Sequence, residues 1–218
     1  MSNNEIITRG RTLDHVAKLY DTLVPIMTLG RTNFYFRQSI AAMELESSHR
    51  ILDIGCATGH LSEFLGKYLD AEKGGQIVGI DAAHKMIDQA NSKNIGPWAS
   101  FDTVAAESLP YEDESFDKVT SLFFFHHVDY ELKVACLNEA YRVLKPGGSF
   151  ILIDIDKPTN WFGTFIILCG EKLFRQPEIK ENRLGFLKKA IDECQFKEVE
   201  LLKRWNGYVS MYKLVKPL

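Results

Sequence analysis

The stretch that most limits what this chain can fold into is residues 50–62, "RILDIGCATGHLS". An apolar run is cut short at Asp53 and Gly55. It then passes through Ala57 and Gly59 into a helix-forming segment. Short apolar runs stopped by glycine mark strands buried on both faces of a parallel sheet. A strand that turns tightly into a helix N-terminus is a general nucleotide-binding device, because glycine lets the backbone approach a ligand where a Cβ would clash. The alternative is a tight β–α turn that holds nothing.

The rest of the chain supplies the matching elements. Further apolar or alternating runs at 76–81, 99–106, 116–125 and 149–155 read as strands. Helical patterns at 60–69, 83–93 and 130–144 lie between them, the last halted by "KPGG". Strands alternating with helices predict a doubly wound parallel sheet. Two helical segments, 12–24 with Thr12 as N-cap and 33–45, precede it as a leader. After a helix at 184–196, "EVELLKR" and "YVSMYKLV" flank "WNG". Asn-Gly between two strand-like runs is a strong hairpin signal. The expected fold is α/β: a Rossmann-like seven-stranded sheet with a C-terminal antiparallel hairpin, its last strand inserted against the parallel ones, and a helical N-terminal leader. At 218 residues one domain is expected. It divides into a leader or cap (1–48), a cofactor-binding core (49–156), an acceptor lid (157–185) and a terminal helix with hairpin (186–218).

Composition narrows the partners. The chain is 45% hydrophobic and 25% charged, ample for a buried core and without the signature of disorder. The net charge of −3 with scattered Lys and Arg gives no basic stripe for nucleic acid, so a small-molecule or lipid-like partner is expected. Cys56, Cys136, Cys169 and Cys194 are isolated and read as reduced thiols, neither a disulfide framework nor a metal site. "MSNNEIITRG" has no signal-peptide pattern, and "WFGTFIILCG" is about half the length of a membrane span. A cytoplasmic protein is expected.

The spacing of the turn selects its ligand. A dinucleotide fingerprint needs G-x-G-x-x-G. Here the third glycine position is His60, and an acid, Asp53, comes before the turn. The pattern D-x-G-x-A/G-x-G is that of S-adenosylmethionine sites. Asp81 follows Gly59 by 22 residues (81 − 59), at the tip of the next strand. There a carboxylate can chelate both ribose hydroxyls, in charge-assisted bonds of about 1.5–3 kcal/mol each. It can also cap the following helix, and the two roles are compatible.

On these residues the chain resembles the class I S-adenosylmethionine-dependent methyltransferases, and among them the ubiquinone/menaquinone C-methyltransferases. The stretches concerned are "LYDTLVPIMTLGR", "RILDIGCATGHLS", "GIDAAHKMIDQA", "AAESLPYEDESFDKV" and "EAYRVLKPGGSFILID". The resemblance implies S-adenosyl-L-methionine as cofactor. Asp53, Gly55, Cys56, Ala57, Thr58 and Gly59 would line its methionine end. Asp81 would take the ribose, Ala82 and Met86 would flank the adenine, and Ala105 and Ala106 would meet its edge. Family members often carry Asp where this chain has Ala105, so that bond is lost or falls to backbone or to Glu107. Leu122 would lie under the cofactor and Tyr20 would close over it.

Methyl transfer is an in-line displacement that depends on alignment, and it needs a base only where the acceptor must lose a proton. His126 and His127, in "FFFHHVDYE" at the mouth of the fourth strand, are the base candidates. The other reading has one capping the next turn and one packing beneath the cofactor. Phe123, Phe124 and Phe125 read as an acceptor wall or as core residues of the strand. His60 and His84 read as structural, and Glu112, Asp113 and Glu114 as a solvated loop. Residues 157–179 carry Trp161, Phe162, Phe165, Ile166, Ile167, Leu168, Leu173 and Phe174. A helix apolar all round seeks a deep groove or lipid. It reads as a lid over an apolar acceptor that touches a membrane through 161–174, or as plain packing onto the sheet. The acceptor could be quinone-, lipid- or natural-product-like. The rival function is a catalytically silent S-adenosylmethionine-binding partner subunit, and a homodimer through the terminal helix or hairpin is open. An NAD-linked oxidoreductase is disfavoured by His60 and "LKPGG".

Overall fold

The computed structural model describes residues 8, 10, 12–28, 30–174 and 177–218; the opening of the leader, 1–7, lies outside the described residues, as does the side chain of Phe174. Seven strands form one sheet: β1 (Arg50–Ile54), β2 (Gln76–Asp81), β3 (Ala99–Thr103), β4 (Phe116–Leu122), β5 (Leu144–Ile155), β6 (Glu198–Trp205) and β7 (Val209–Val215). Their order is β3-β2-β1-β4-β5-β7-β6. The first five are parallel, and β7 runs antiparallel between β5 and β6.

Alternation of side chains splits each central strand between two cores. Leu52, Ile54, Phe150 and Leu152 face α5 (Tyr130–Val143) and α8 (Phe186–Glu193), meeting Cys136, Leu137, Ala140, Leu187 and Ile191. Ile51, Ile77, Ile151 and Ile153 face the other way, against Tyr35, Ile40 and Met43 of α2 (Thr32–Met43) and Leu61 and Leu65 of α3 (His60–Leu65). Burial on both faces is why these strands read as continuous apolar runs. The hairpin forms as expected: Asn206 (φ 52°) and Gly207 (φ 76°) take the left-handed turn, and Tyr208 N–H donates to the Trp205 carbonyl at 3.1 Å.

Several boundaries move for tertiary reasons. The fourth strand ends at Leu122, not at 125: Phe123 adopts φ 57°, and Phe125–His127 form a 3₁₀ turn. The third ends at Thr103. Helix α3 ends at Leu65, and Gly66 after it lies against Trp98, where a Cβ would meet the indole at 2.4 Å. "LKPGG" is already part of β5, Leu144 pairing with Phe116 before a register shift. The leader's α1 (Ala17–Met27) follows a 3₁₀ turn (Asp14–Val16), and Thr12 caps neither element. α6 (Trp161–Phe174) is only half seated: Ile167 is buried, while Trp161 is 80% and Phe165 57% exposed. No helix among the described residues is long and apolar enough to cross a membrane. No group of His, Cys, Asp or Glu among them could hold a metal ion. The remaining helices are α4 (His84–Ser92) and α7 (Pro177–Arg183).

Candidate active site

The strand order reverses between β1 and β4, and in such sheets ligands lie outside the carboxyl ends of the strands at that switch point. Two adjoining hollows open there. The smaller lies between the leader and the ends of β1 and β2, lined by Leu13, Tyr20, Gly55, Ala57, Asp81, Ala82, Met86, Val104, Ala106 and Glu107. The larger, about 660 Å³, runs from Asp53, Cys56, Thr58 and Leu122 past Leu23, Val24 and Met27 of α1 to Ile166 and Ile167 of α6. Tyr20, Gly55, Ala57, Phe123 and His127 border both.

The turn after β1 is built for close approach. Gly55 (φ 74°), Ala57 (φ 49°) and Gly59 (φ 78°) are all left-handed, and the Gly55 and Cys56 N–H groups donate to the Ile80 carbonyl at 2.9 Å. Gly59 borders neither hollow. A Cβ on it would sit 2.8 Å from Phe101, so its missing side chain makes room for that ring. Ala105 is likewise buried behind the lining, and its neighbours Val104, Ala106 and Glu107 form the wall instead.

Charge in the site is concentrated on two acids, Asp53 buried and Asp81 half-buried. Asp53 is 2% exposed, and its Oδ2 has no hydrogen-bond partner. Burial, then the nearby Asp81 charge, pushes its carboxyl up to about 7. Burial raises Asp81 to about 6 against the pull of two backbone donors, Ala83 N–H on Oδ1 at 2.8 Å and Ala57 N–H on Oδ2 at 3.2 Å. Asp81 therefore steadies both the turn and the start of α4. Tyr20 is pushed well above the usual phenol range, by burial and then by Asp81. A buried carboxylate oxygen without a donor is costly unless a ligand supplies one. An ammonium at Asp53, in the wall of the larger hollow, with hydroxyls at Asp81 and a flat ring between Ala82, Met86 and Ala106 in the smaller, would satisfy what the two adjoining hollows leave open. These residues fit S-adenosylmethionine.

The leader is fastened over this region. Asp21 Oδ1 accepts from Thr58 Oγ1 at 2.5 Å and lies 3.1 Å from His60 Nε2; Oδ2 lies 3.0 Å from Lys93 Nζ. Lys93 also donates to the Thr58 carbonyl at 2.8 Å. Burial alone would raise Asp21, but the bonds from Thr58 and Lys93 hold its carboxyl below the usual range. Asp14 accepts the Lys85 N–H at 2.8 Å and lies 3.2 Å from His84 Nδ1. His60 and His84 thus tie the leader down. Thr8 Oγ1 donates to Glu107 Oε1 at 2.7 Å.

His126 borders the larger hollow, and its Nδ1 lies 2.7 Å from Asp154 Oδ1. Asp154, fully buried near the end of β5, also accepts the N–H groups of Phe125 and Ile155, each at 2.6 Å. The rings of His126 and His127 are 4.0 Å apart. Neither histidine caps the following helix: Asp129 does, accepting the Leu132 N–H at 2.9 Å. Of the three phenylalanines, Phe123 borders both hollows and packs edge-on to Tyr35 at 5.1 Å, while Phe125 is core. Sequence reasoning missed Asp154. Its one signal was an acid inside the apolar run "ILIDI".

The chain matches known proteins in sequence and in fold. The methyltransferase-domain family matches residues 52–152. A demethylmenaquinone methyltransferase of Lactobacillus johnsonii is 33% identical over 209 residues, covering 86% of this chain and 84% of that one. The ubiquinone/menaquinone biosynthesis C-methyltransferase UbiE of Pseudomonas putida is 31% identical, covering 93% and 86%. In structure, an S-adenosylmethionine-dependent methyltransferase of Methanosarcina mazei matches with a TM-score of 0.59 at 24% identity, covering 82% and 98%.

Proposed function

Because the chain belongs to the class I S-adenosylmethionine-dependent methyltransferases, in the group of the quinone methyltransferases, we propose that it methylates a small apolar acceptor of the quinone type. The observation that carries the acceptor reading is the large hollow, walled by apolar side chains of α1 and α6 and joined to the cofactor hollow at Tyr20, Gly55 and Phe123.

Bound S-adenosylmethionine supplies a methyl carbon already activated by its sulfonium. The chain's own work is to hold and align. Asp53 accepts from the amino group, Asp81 from the ribose hydroxyls, and Met86 and Ala82 sandwich the adenine. Tyr20 and Phe123 stand where the two hollows meet and keep water from the reacting centre. His126 takes the proton that the acceptor must lose, an effect generally worth about 10²–10⁴ in rate.

The exposed side of α6 extends the reading to a lipid surface. Trp161, Phe165 and Leu168 lie outward, with Lys172 beside them. Co-sedimentation with phospholipid vesicles, lost in Trp161→Glu/Phe165→Glu, is the expected result; equal pelleting with and without vesicles rejects this contact.

Radiolabelled methyl transfer tests the main proposal. Demethylmenaquinone-like acceptors are expected to take up label, and polar phenols or amines much less. Cofactor binding with no labelled product from any apolar acceptor would favour the silent-subunit alternative.

A further inference from the structure

We propose that Asp154 is the positioning residue of the transfer step: it holds His126 in the tautomer protonated on Nδ1, so that Nε2 faces the acceptor hollow as a bare base. The inference rests on the proposed role of His126, and its test is arranged so that the two can fail separately.

The geometry carries it. Asp154 is 0% exposed, and a buried carboxylate persists only where donors surround it. Two donors are backbone N–H groups, of Phe125 on Oδ2 and Ile155 on Oδ1, which fix the orientation of the carboxylate. The third is the imidazole, 2.7 Å from Oδ1. An ionised carboxylate can only accept, so Nδ1 must carry the hydrogen, and in a neutral imidazole Nε2 then has the lone pair. The 3₁₀ turn Phe125–His127 sets this up, because the backbone that delivers one N–H to Asp154 also delivers the ring of the next residue. When the acceptor gives its proton to Nε2, the imidazolium sits against the carboxylate. The proton then passes to solvent after the product has left. Neighbouring acids have other work: Asp53 and Asp81 lie on the cofactor side, Asp129 caps α5, and Asp156 is engaged by Arg204, Ser210 and Tyr212.

Ring-nitrogen NMR of the ¹⁵N-histidine-labelled protein, without acceptor, reads the tautomer directly. The His126 signal is identified by its loss in His126→Gln. The wild type is expected to show hydrogen on Nδ1 of His126. A bare Nδ1 would overturn the proposal without any variant, whatever the acceptor proves to be. In Asp154→Asn the Nδ1–H tautomer is expected to be lost, and kcat to fall about 10²-fold or more, with cofactor Kd and acceptor KM within about twofold of wild type. A folded Asp154→Asn with unchanged ring signals and unchanged kcat would equally reject it. Should that variant not fold, the wild-type spectrum still decides. An Nδ1–H tautomer in a protein that methylates no apolar acceptor would leave the positioning geometry intact and retire the acceptor proposal instead.

Discussion

At the scale of the residue, Asp53 shows how a ligand site is stored as instability. Its folded-state value of about 7 lies above the ordinary 3.8, so the fold prefers the protonated acid. The apo protein therefore keeps this contribution to stability at low pH and loses it as pH rises from about 4 to about 7. A cationic amino group needs the opposite, the ionised carboxylate. Cofactor Kd is accordingly expected to tighten as pH rises through 6 and 7, where Asp81 and then Asp53 ionise. Calorimetry in buffers of different ionisation enthalpy should show proton release on binding in that window. Asp53→Asn should bind about tenfold or more weakly and lose most of the pH dependence; an Asn variant with the wild-type slope would remove Asp53 from the explanation. Asp53 and Asp81 were legible in the sequence because both end strands at fixed distances from the glycine turn. Asp154 was not, since its partner lies 28 residues away and a strand acid has no local reason to meet a particular histidine. Gly59 has a packing role that the pattern does not record. It keeps its place in the pattern, but what it makes room for is Phe101.

At the scale of the element, the leader and the hairpin are the two pieces whose role depends on short polar contacts. Helix α1 covers the turn, and Asp21 is its clasp on Thr58, His60 and Lys93. Asp21→Ala is expected to speed release of S-adenosylhomocysteine several-fold in a stopped-flow displacement assay, with the melting temperature little changed. Release at the wild-type rate would mean that the leader does not gate the hollow. The hairpin depends on Gly207, whose φ of 76° costs a residue with a Cβ about 1–2 kcal/mol, and whose Cβ would fall 2.3 Å from Asn160 Nδ2. Gly207→Ala should therefore lose at least that much in urea denaturation, and Asn160→Ala in the same background should recover part of it. Strands and the Asn-Gly turn were legible because their signals are local. The ends of the fourth strand and of the helix after the turn were not: Phe123 and Gly66 pack on Tyr35 and Trp98, partners distant in sequence that no local pattern records.

At the scale of the whole molecule, the alternation of strands and helices was readable from periodicity, while the reversed strand order that places a crevice at β1 and β4 is a finding of the structure. The acceptor hollow was not readable in that way. Its walls come from α1, α2, the turn after β1, α6 and the final hairpin, and no single segment records its volume. The apolar run at 157–179 signalled that something apolar was to be covered, without saying that only one side of α6 would do it. Since Leu23 and Met27 of α1 and Ile166 of α6 wall the hollow from opposite sides, filling it should be felt across the molecule. Ile166→Trp is expected to raise acceptor KM about tenfold or more while leaving cofactor Kd unchanged by calorimetry. A matching loss of cofactor affinity would show that the two hollows are one site.

The inserted position of β7 bears on how the molecule is made. Strand β5, which carries Asp154, has β4 on one side, and on the other only β7, through pairs such as Ile153 with Met211 and Asp154 with Ser210. As the polypeptide emerges in order from the ribosome, β5 stands with an open edge of apolar residues while the next fifty or so are still being added. An exposed edge of that kind is a template for another chain. The nascent protein is thus most prone to aggregate in the interval just before its catalytic geometry can close, and slow translation of residues 160–208 should lower soluble yield without altering the protein that survives.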